Sequence, residues 1–416
     1  MMKKTFLLFI LLIFGLVAFF GYNRTTKKNE QKKLTFWSIQ LKPIYEKEMN
    51  KIISEFEILH PDYEVIWIDI PIQEAQKRTL ASILSSNPPD IINLNPDFSL
   101  ALAQKNALEF FDEDKLEQFH PKLLDKLKYA GKIYALPFYE TSPVTVYNKE
   151  LYSKVSNKEF PKTYDELFLL APEVKKVSNS AIFVSSLNEN DTLSKILNKY
   201  GVYSLSSQED KDKALGVYLM FDQMYKNGYL PSDILTINHR EVVERYMSNQ
   251  ALSVVAGSNF INMIKQNAPD IYQKSQIAPQ LSADSLNYDI SLMNLIIPKK
   301  AKNKELAYEF ALLLTGEKQQ LRLAKLTNVL PANKYALNNE YFKNCSNDIL
   351  DKSRCISVKQ LDNLSCRDFG SENKKLINEL LNKTLEEILL NKNANESFIE
   401  EKINLASLKL QILQKK

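Results

Sequence analysis

Glycine is scarce in this chain, at nine of 416 residues. None of the glycines forms G-x-x-x-x-G-K-[ST] or G-x-G-x-x-G, the loops that hold phosphate groups in nucleotide-binding proteins. A nucleotide-dependent enzyme is therefore not expected. The net charge of +4 comes from 54 basic and 50 acidic residues spread along the chain, without the basic stripe that nucleic acid requires. We expect no nucleic-acid partner.

Histidine is also rare and carries no recognisable catalytic or metal-binding pattern. His60, His120 and His239 are isolated, with no H-E-x-x-H and no carboxylate at the spacing of a metal site. No G-x-S-x-G elbow occurs either. The acidic cluster 112–114 could supply two carboxylates for glycoside hydrolysis, although such clusters are usually solvated. We predict no enzyme, cofactor or metal, with an exported glycoside hydrolase as the alternative from another class.

The three cysteines all fall in a short C-terminal stretch, as Cys345, Cys355 and Cys366. Their clustering fits one disulfide and one remaining thiol, which requires that this part of the chain lie outside the cytosol. The candidate pair is Cys345 with Cys355. A zinc site is the rival interpretation, but no histidine is near and the spacing is not C-x-x-C.

Only one long apolar run is present, from Thr5 to Tyr22, after a basic start at Met1–Lys4. At about 1.5 Å per residue it would reach roughly 27 Å, near the lower limit for a bilayer span. We predict a signal or anchor over residues 1–22 and a polar tether over 23–33. Aromatic residues occupy the end of the run where small residues would mark cleavage, so a retained anchor is favoured over a cleaved signal.

The orientation of this segment is ambiguous. Basic residues of the tether outnumber those before the apolar run, which would keep the body in the cytosol. A short basic start followed by an apolar run is nevertheless the form of a secretory signal. We expect an extracytoplasmic body, in the periplasm or at the outer face of the membrane.

Strand-like and helix-like segments alternate through most of the chain. Strands are predicted at Leu34–Ile39, Glu64–Asp69 and Asp90–Leu94, each separated from the next by an amphipathic helix. The same alternation restarts after Val144, and a chain of this length exceeds a single core. We predict an α/β fold with mostly parallel sheets, in two units joined near 139–144, and a small-molecule cleft between them.

The second unit and the return of the chain carry further predicted elements. Thr163–Glu166 has the pattern of a capping box that opens a helix to about Val177. Strands are predicted at Ala181–Ser185, Ala251–Ala256 and Met293–Ile297. Asn303 is predicted to cap a helix over 304–314.

The segment Gly131–Lys149 combines two β-branched or aromatic runs with an irregular middle. Pro137 and Pro143 prevent a continuous strand ladder through it. Phe138 to Glu140, between the prolines, offer aromatic faces and a polar group where the chain passes between units. Both an ordinary core and a ligand contact fit these residues.

Candidate ligand-binding residues are those predicted at strand ends or at this crossing. Asp97 fits equally well as a helix cap, and Trp37 as a core residue. The candidates are Trp37, Ser38, Gln40, Asn95, Asp97, Phe138, Tyr139, Glu140, Asn259, Phe260 and Asn294.

Four blocks of the chain resemble, in matching order, the extracellular solute-binding proteins of ABC importers, in the carbohydrate-binding branch that includes maltose-binding protein. They extend from residue 34 to about 340. Two features depart from the family: no lipoprotein cysteine follows the signal, and the tail after Tyr341 resembles the family only as a helical end of the second lobe. The blocks are LTFWSI with FEILHPDYEVIWIDIP, NPPDIINLNPDFSLALAQKNALEFFD, GKIYALPFYETSPVTVYNKELY and MNLIIPKKAKNKELAYEFALLLTGEKQQLRLAKLTNVLPANKYAL.

The resemblance implies a two-lobed periplasmic-binding-protein fold of type II, with a hinge between the lobes. The implied first lobe comprises residues 34–141 and 293–329, and the second comprises 142–292 and 330–416. The implied function is delivery of a sugar or sugar derivative to an ABC permease by a monomer tethered at its N-terminus. A polyol or glycerol-phosphate receptor of the same fold is an alternative.

In such a receptor, aromatic rings would pack against the sugar and polar side chains would bind its hydroxyls. The candidate rings are those of Trp37, Phe138, Tyr139 and Phe260.

Overall fold

The structure is a computed structural model that describes residues 31–187, 191–283, 287–365, 369 and 373–414. The predicted signal or anchor at 1–22, most of the tether at 23–33, and Cys366 lie outside these residues. Among the described residues, none of the helices has the length and apolar character needed to span a membrane.

The first lobe is built on a six-stranded sheet with the strand order β12–β6–β11–β3–β1–β2. β1 alternates buried and partly exposed residues from Leu34 onward, which places one of its faces in the core. The strands of this sheet are β1 (Lys32–Ile39), β2 (Tyr63–Ile70), β3 (Ile91–Leu94), β6 (Leu136–Thr141), β11 (Ser291–Ile296) and β12 (Leu330–Pro331), and a small separate hairpin comprises β4 (Lys128–Tyr129) and β5 (Lys132–Ile133).

The second lobe is built on a four-stranded sheet with the order β10–β7–β9–β8. β9 lies inside this sheet and all but one of its residues are buried, as expected for a strand covered on both faces. The strands are β7 (Val144–Asn148), β8 (Ala181–Val184), β9 (Ala251–Ala256) and β10 (Ser275–Ala278).

Both sheets are mixed, so the prediction of mostly parallel sheets is wrong. β1 pairs in parallel with β2 and β3, and β8 pairs in parallel with β9. The strands at the crossings between lobes run the other way, since β11 is antiparallel to β3 and β6, and β7 is antiparallel to β9. The chain leaves the first sheet at the end of β6 and returns to the same edge of that sheet at the start of β11. The two strands therefore run in opposite directions.

The helices lie mainly between the strands and cover the sheets. In the first lobe and the return of the chain they are α1 (Lys42–Leu59), α2 (Ile72–Leu84), α3 (Pro96–Gln104), α4 (Pro121–Asp125), α13 (Lys304–Leu314), α14 (Glu317–Thr327), α15 (Lys334–Leu337) and α16 (Glu340–Lys343). In the second lobe and the tail they are α5 (Lys149–Tyr152), α6 (Tyr164–Phe168), α7 (Ala171–Ser178), α8 (Thr192–Lys199), α9 (Gln208–Lys226), α10 (His239–Met247), α11 (Ser258–Asn267), α12 (Pro269–Lys274), α17 (Ile349–Gln360), α18 (Lys374–Leu390) and α19 (Glu396–Gln414).

Two predicted helix features have mixed outcomes. The capping box at Thr163 and Glu166 is confirmed, but the helix does not run on to Val177. It ends at Phe168, and α7 begins at Ala171 with Pro172 in its first turn, because proline has no N–H to continue the preceding helix. Asn303 precedes α13 without capping it, and its side chain instead binds the Asp90 carboxylate.

The return into the first lobe is longer than the predicted 293–329. β11 already pairs with β6 at Ser291, and β12 adds Leu330 and Pro331 to the edge of the same sheet. Phe342, farther along, is buried in the core of this lobe. The first lobe therefore includes part of the chain that the sequence assigned to the second.

The tail packs chiefly against the second lobe. Ile377 and Ile388 of α18 and Ile403 of α19 are buried in one apolar core with Phe221 of α9. At the start of the tail, Cys345 and Cys355 form a disulfide, with Cα atoms 6.3 Å apart. The tail thus completes a core that the rest of this lobe leaves uncovered.

Candidate functional site

A cavity of about 600 Å³ lies between the lobes, at the ends of strands from both sheets. Volumes of about 300–1,000 Å³ are usual for small-molecule sites. The second lobe contributes residues that follow β8 and β9, and the first lobe contributes Ile72 after β2 and Thr141 at the end of β6. This is the edge at which parallel strands of an α/β sheet present ligand-binding residues.

Two lysines of α8 line the cavity, each paired with an aspartate. Lys195 Nζ is 3.0 Å from Asp191 Oδ1, and Lys199 Nζ is 2.9 Å from Asp289 Oδ2. Lys199 also donates to the Asn287 carbonyl at 2.7 Å. The cavity therefore contains charged donors and acceptors in fixed positions, with each charge matched by its opposite.

The pair of Lys195 and Asp191 controls the protonation states of its own two side chains. Burial opposes ionisation of Asp191, but its pairing with Lys195 outweighs that effect and the pKa of Asp191 is lowered. Burial likewise opposes charging of Lys195, and the nearby carboxylates reverse it, so the pKa of Lys195 is raised. Both groups are consequently ionised at neutral pH.

Asn259 and Phe260 are the predicted site residues that line this cavity. They follow β9 through Gly257, in the first turn of α11. Asn259 is exposed, and the half-buried Phe260 ring lies edge-on to the ring of His239 with centroids 4.5 Å apart. An amide and an aromatic face are thus available to a ligand.

Gln40, Asn95 and Asp97 lie at strand ends of the first lobe and are exposed, but they do not line the cavity itself. Asn95 caps α3, because its Oδ1 accepts from Phe98 N at 2.9 Å. Asp97 lies 3.1 Å from Lys374 Nζ in the second lobe, and Lys374 is 4.0 Å from Asp191. Asp97 therefore lies beside the cavity, where Lys374 of the second lobe links it to Asp191.

Ser38 and Trp37 are held within the first lobe. Ser38 is fully buried, donates to Asp69 and accepts from Trp67 Nε1 at 2.8 Å. Trp37 is partly buried beneath the Arg78 guanidinium, which lies 5.6 Å from the ring centroid. Neither residue lines the cavity.

Phe138, Glu140 and Asn294 also lie in the interior of the first lobe rather than on the cleft wall. Phe138 is 1% exposed, and Glu140 and Asn294 are fully buried. Asn294 Nδ2 donates to Ser99 Oγ at 2.7 Å. Tyr139, on the opposite face of β6, is half-buried against the same core, and burial raises its pKa.

Glu140 is an unusual buried carboxyl. Neither of its oxygens has a hydrogen-bond partner among the described residues. Burial raises the pKa of Glu140 to about 8, against the opposing charge of Lys126. Glu140 is therefore mostly protonated at neutral pH, which makes its burial less costly.

Sequence reasoning missed most of the polar lining of the cavity. Two of the missed residues, Lys195 and Lys199, are four apart in α8 and so share one helix face. That spacing was visible in the sequence, but lysine pairs of this kind usually face solvent. The missed polar residues are Thr141, Tyr164, Ser185, Ser186, Asp191, Thr192, Lys195, Lys199, His239, Ser258, Gln280, Asp289 and Ser291.

A sequence model of bacterial extracellular solute-binding proteins matches residues 51–347, more than half of the chain. The chain belongs to this family. The predicted resemblance to extracellular solute-binding proteins is therefore confirmed. Proteins of this family are binding proteins rather than enzymes, and the family name indicates an extracytoplasmic location.

Two curated relatives and one solved structure illustrate the likeness. The maltotriose-binding protein of Pyrococcus abyssi is 28% identical over 139 residues, which are 32% of this chain and 29% of that protein. The galactooligosaccharide-binding protein of Bacillus subtilis is 23% identical over 219 residues, 50% of this chain and 51% of that protein. The alignments thus span about half or less of these relatives.

The sugar-binding protein MalE from Xanthomonas citri superimposes with a TM-score of 0.74 at 17% identity. The match covers 92% of this chain and 98% of that structure. This likeness confirms the predicted two-lobed fold.

Proposed function

We propose that the chain is the solute receptor of an ABC importer and that its interlobe cavity binds a sugar. The observation that carries this is the set of matched charges lining the cavity, Lys195 with Asp191 and Lys199 with Asp289. A sugar hydroxyl donates and accepts hydrogen bonds, and hydrogen bonds to charged partners are stronger than those to neutral ones. A lining that carries both positive and negative charges can therefore bind such a ligand.

The apolar part of the lining supports the same ligand class. Phe260 offers an aromatic face, and Val255 and Ile196 add aliphatic surface. Sugars combine apolar C–H faces with polar edges, so a cavity with both kinds of surface matches them. The relatives named for maltotriose and galactooligosaccharide binding are consistent with this assignment.

The proposed receptor performs no chemistry on its ligand. A glycoside hydrolase needs a carboxylic acid whose pKa is raised so that it can protonate the leaving group. Asp191 in the cavity has a lowered pKa instead. Closure of the lobes around the sugar would exclude water and present a surface to the permease. A polyol or glycerol-phosphate ligand is the alternative within this fold.

The proposal is tested by a thermal-shift screen against maltotriose, galactooligosaccharides, diacetylchitobiose, sorbitol and glycerol 3-phosphate. A bound ligand at 100 times its Kd stabilises the folded state by about 2.7 kcal/mol, which raises Tm measurably. We expect a rise with at least one neutral sugar. A rise only with sorbitol or glycerol 3-phosphate would favour the alternative, and release of monosaccharides would favour a hydrolase.

A pair of matched variants locates the site. Lys195→Met removes a cavity donor that is paired with Asp191 four residues earlier, and Lys213→Met removes a surface lysine paired with Glu209 in the same way. We expect Lys195→Met to weaken sugar binding at least tenfold, as loss of a charged hydrogen bond predicts, and Lys213→Met to leave it unchanged. Equal effects of the two variants would contradict the proposed site.

A further inference from the structure

The tail helix α17 is hydrogen-bonded to the two strand crossings between the lobes. The first crossing joins β6 to β7 through Ser142 and Pro143, and the second joins β10 to β11 over residues 279–290, of which 279–283 and 287–290 are described. The sequence pattern predicted no role for this helix, since it lies in the tail, beyond the last of the family blocks. Its contacts supply one.

Gln360, the last residue of α17, binds both crossings at once. Its Nε2 donates to Ser142 Oγ at 2.7 Å and to the Pro143 carbonyl at 2.9 Å. Its Oε1 accepts from Gln280 N at 2.7 Å. One side chain, 1% exposed, therefore links the tail to the first and the second crossing.

Two more side chains complete the network. Ser357, one turn earlier in α17, donates to the Ser142 carbonyl at 2.6 Å. The Gln280 side chain exchanges two hydrogen bonds with the Asp289 backbone, at 2.8 Å and 3.0 Å, and donates to Ser142 Oγ at 3.3 Å. Ser142, Gln280, Ser357 and Gln360 are all at most 7% exposed.

A buried network of this kind is costly to break in part, because every unpaired group left behind would be desolvated without a partner. Rotation of one lobe against the other must change the backbone at the crossings, where the network attaches. We propose that Gln360 and Ser357 are positioning residues, which fix the arrangement of the two lobes by bracing both crossings against α17. This inference rests on the two-lobed fold and not on the identity of the ligand.

The middle of α17 is itself fixed to the segment that precedes the helix. Cys355 lies two residues before Ser357 and is joined by the disulfide to Cys345. Arg354 stacks on the Tyr341 ring at 3.8 Å and donates to the Tyr341 carbonyl at 2.8 Å. These contacts connect α17 to the segment that leaves the first lobe. They hold the helix in place while it contacts the crossings.

The test measures the arrangement of the lobes in the full chain without ligand. Fluorescent dyes are placed through noncanonical residues at the exposed positions Lys77 in the first lobe and Lys158 in the second. Single-molecule energy transfer then gives the distribution of interlobe distances. The variants are Ser357→Ala and Gln360→Leu, compared with Ser353→Ala.

Ser353 is a matched control because it is a buried serine of the same helix, 3% exposed, whose Oγ donates to the Leu350 carbonyl within α17. We expect Ser357→Ala to change the ratio of lobe arrangements roughly fivefold, as loss of one buried hydrogen bond implies. Gln360→Leu should change it more, and Ser353→Ala should leave it unchanged.

The proposal is overturned if Ser357→Ala leaves the distance distribution as in the unmodified chain, or if Ser353→Ala shifts it equally. Should Gln360→Leu fail to fold, Ser357→Ala decides alone, since it removes a single hydroxyl. Because no ligand is present, failure here is distinguishable from failure of the sugar-receptor proposal, which the thermal-shift screen tests separately.

Discussion

At the scale of single residues, neighbouring residues on one strand lie in different environments. In β6, Phe138 and Glu140 point into the core of the first lobe, and Tyr139 and Thr141 lie on the other face. Thr141 reaches the cavity. A strand alternates its side chains between two faces, so a list of consecutive candidate residues necessarily mixes core and site.

Substitution of the two phenylalanines separates these roles. We expect Phe138→Ala to lower the free energy of unfolding by about 3–5 kcal/mol, because it leaves a cavity in the core. Phe260→Ala, at a half-buried ring of the cavity wall, should cost less stability and weaken sugar binding. Urea unfolding and a binding titration check both, and a Phe138→Ala protein of full stability would contradict the placement.

Glu140 predicts a dependence of stability on pH. Its pKa is about 8 in the folded chain against the ordinary 4.5 of an exposed glutamate, so the folded state binds this proton more tightly. The stabilising contribution is complete below about pH 4.5 and is lost as the pH rises through about 8. With about 1.4 kcal/mol per pKa unit, the loss is on the order of a few kcal/mol.

Glu140→Gln removes the titrating group while keeping its size. We expect the variant to lose less stability than the unmodified chain between pH 5 and pH 9, measured by urea unfolding at several pH values. Parallel pH profiles for the two proteins would show that Glu140 is already ionised in the folded state.

At the scale of secondary-structure elements, the tail helices stabilise both the second lobe and the crossings between the lobes. α18 and α19 complete the core of the second lobe, and α17 lies against the crossings. The disulfide closes only a short loop, with a sequence separation of 10 residues. Its effect on the unfolded chain is correspondingly limited.

Replacement of both cysteines by serine should therefore lower the free energy of unfolding by about 2–3 kcal/mol. Tm measured with and without a reductant tests this in the unmodified chain, and the Cys345→Ser/Cys355→Ser variant serves as the reductant-insensitive control. No change on reduction would indicate that the two thiols are not joined in solution.

At the scale of the whole molecule, the two lobes are in contact at the crossings and also beside the cavity. Ser258 Oγ donates to the Asn328 carbonyl at 2.9 Å, and Lys374 reaches Asp97 across the cleft. These contacts hold the lobes together in the observed arrangement. A ligand can shift this arrangement only through different affinity for its alternatives.

The Lys374–Asp97 ion pair should contribute little free energy to the contact between the lobes, because the aspartate is more than half exposed. Exposed ion pairs contribute about 0–1 kcal/mol and are screened by salt. We expect Lys374→Met to change sugar affinity by less than about fivefold, with the difference disappearing in 0.5 M salt. A large, salt-independent loss would mean that Lys374 contacts the ligand itself.

The sequence alone determined the alternation of strands and helices, the capping box at Thr163, and the family, because local periodicity and turn chemistry act over a few residues. It placed Asn259 and Phe260 at the cavity, since they follow a strand end directly. Only the tertiary structure decided that Lys199 pairs with Asp289 from a distant segment, and that the tail is hydrogen-bonded to the crossings. Contacts between residues far apart in the chain depend on how the two sheets pack, and no local pattern records that.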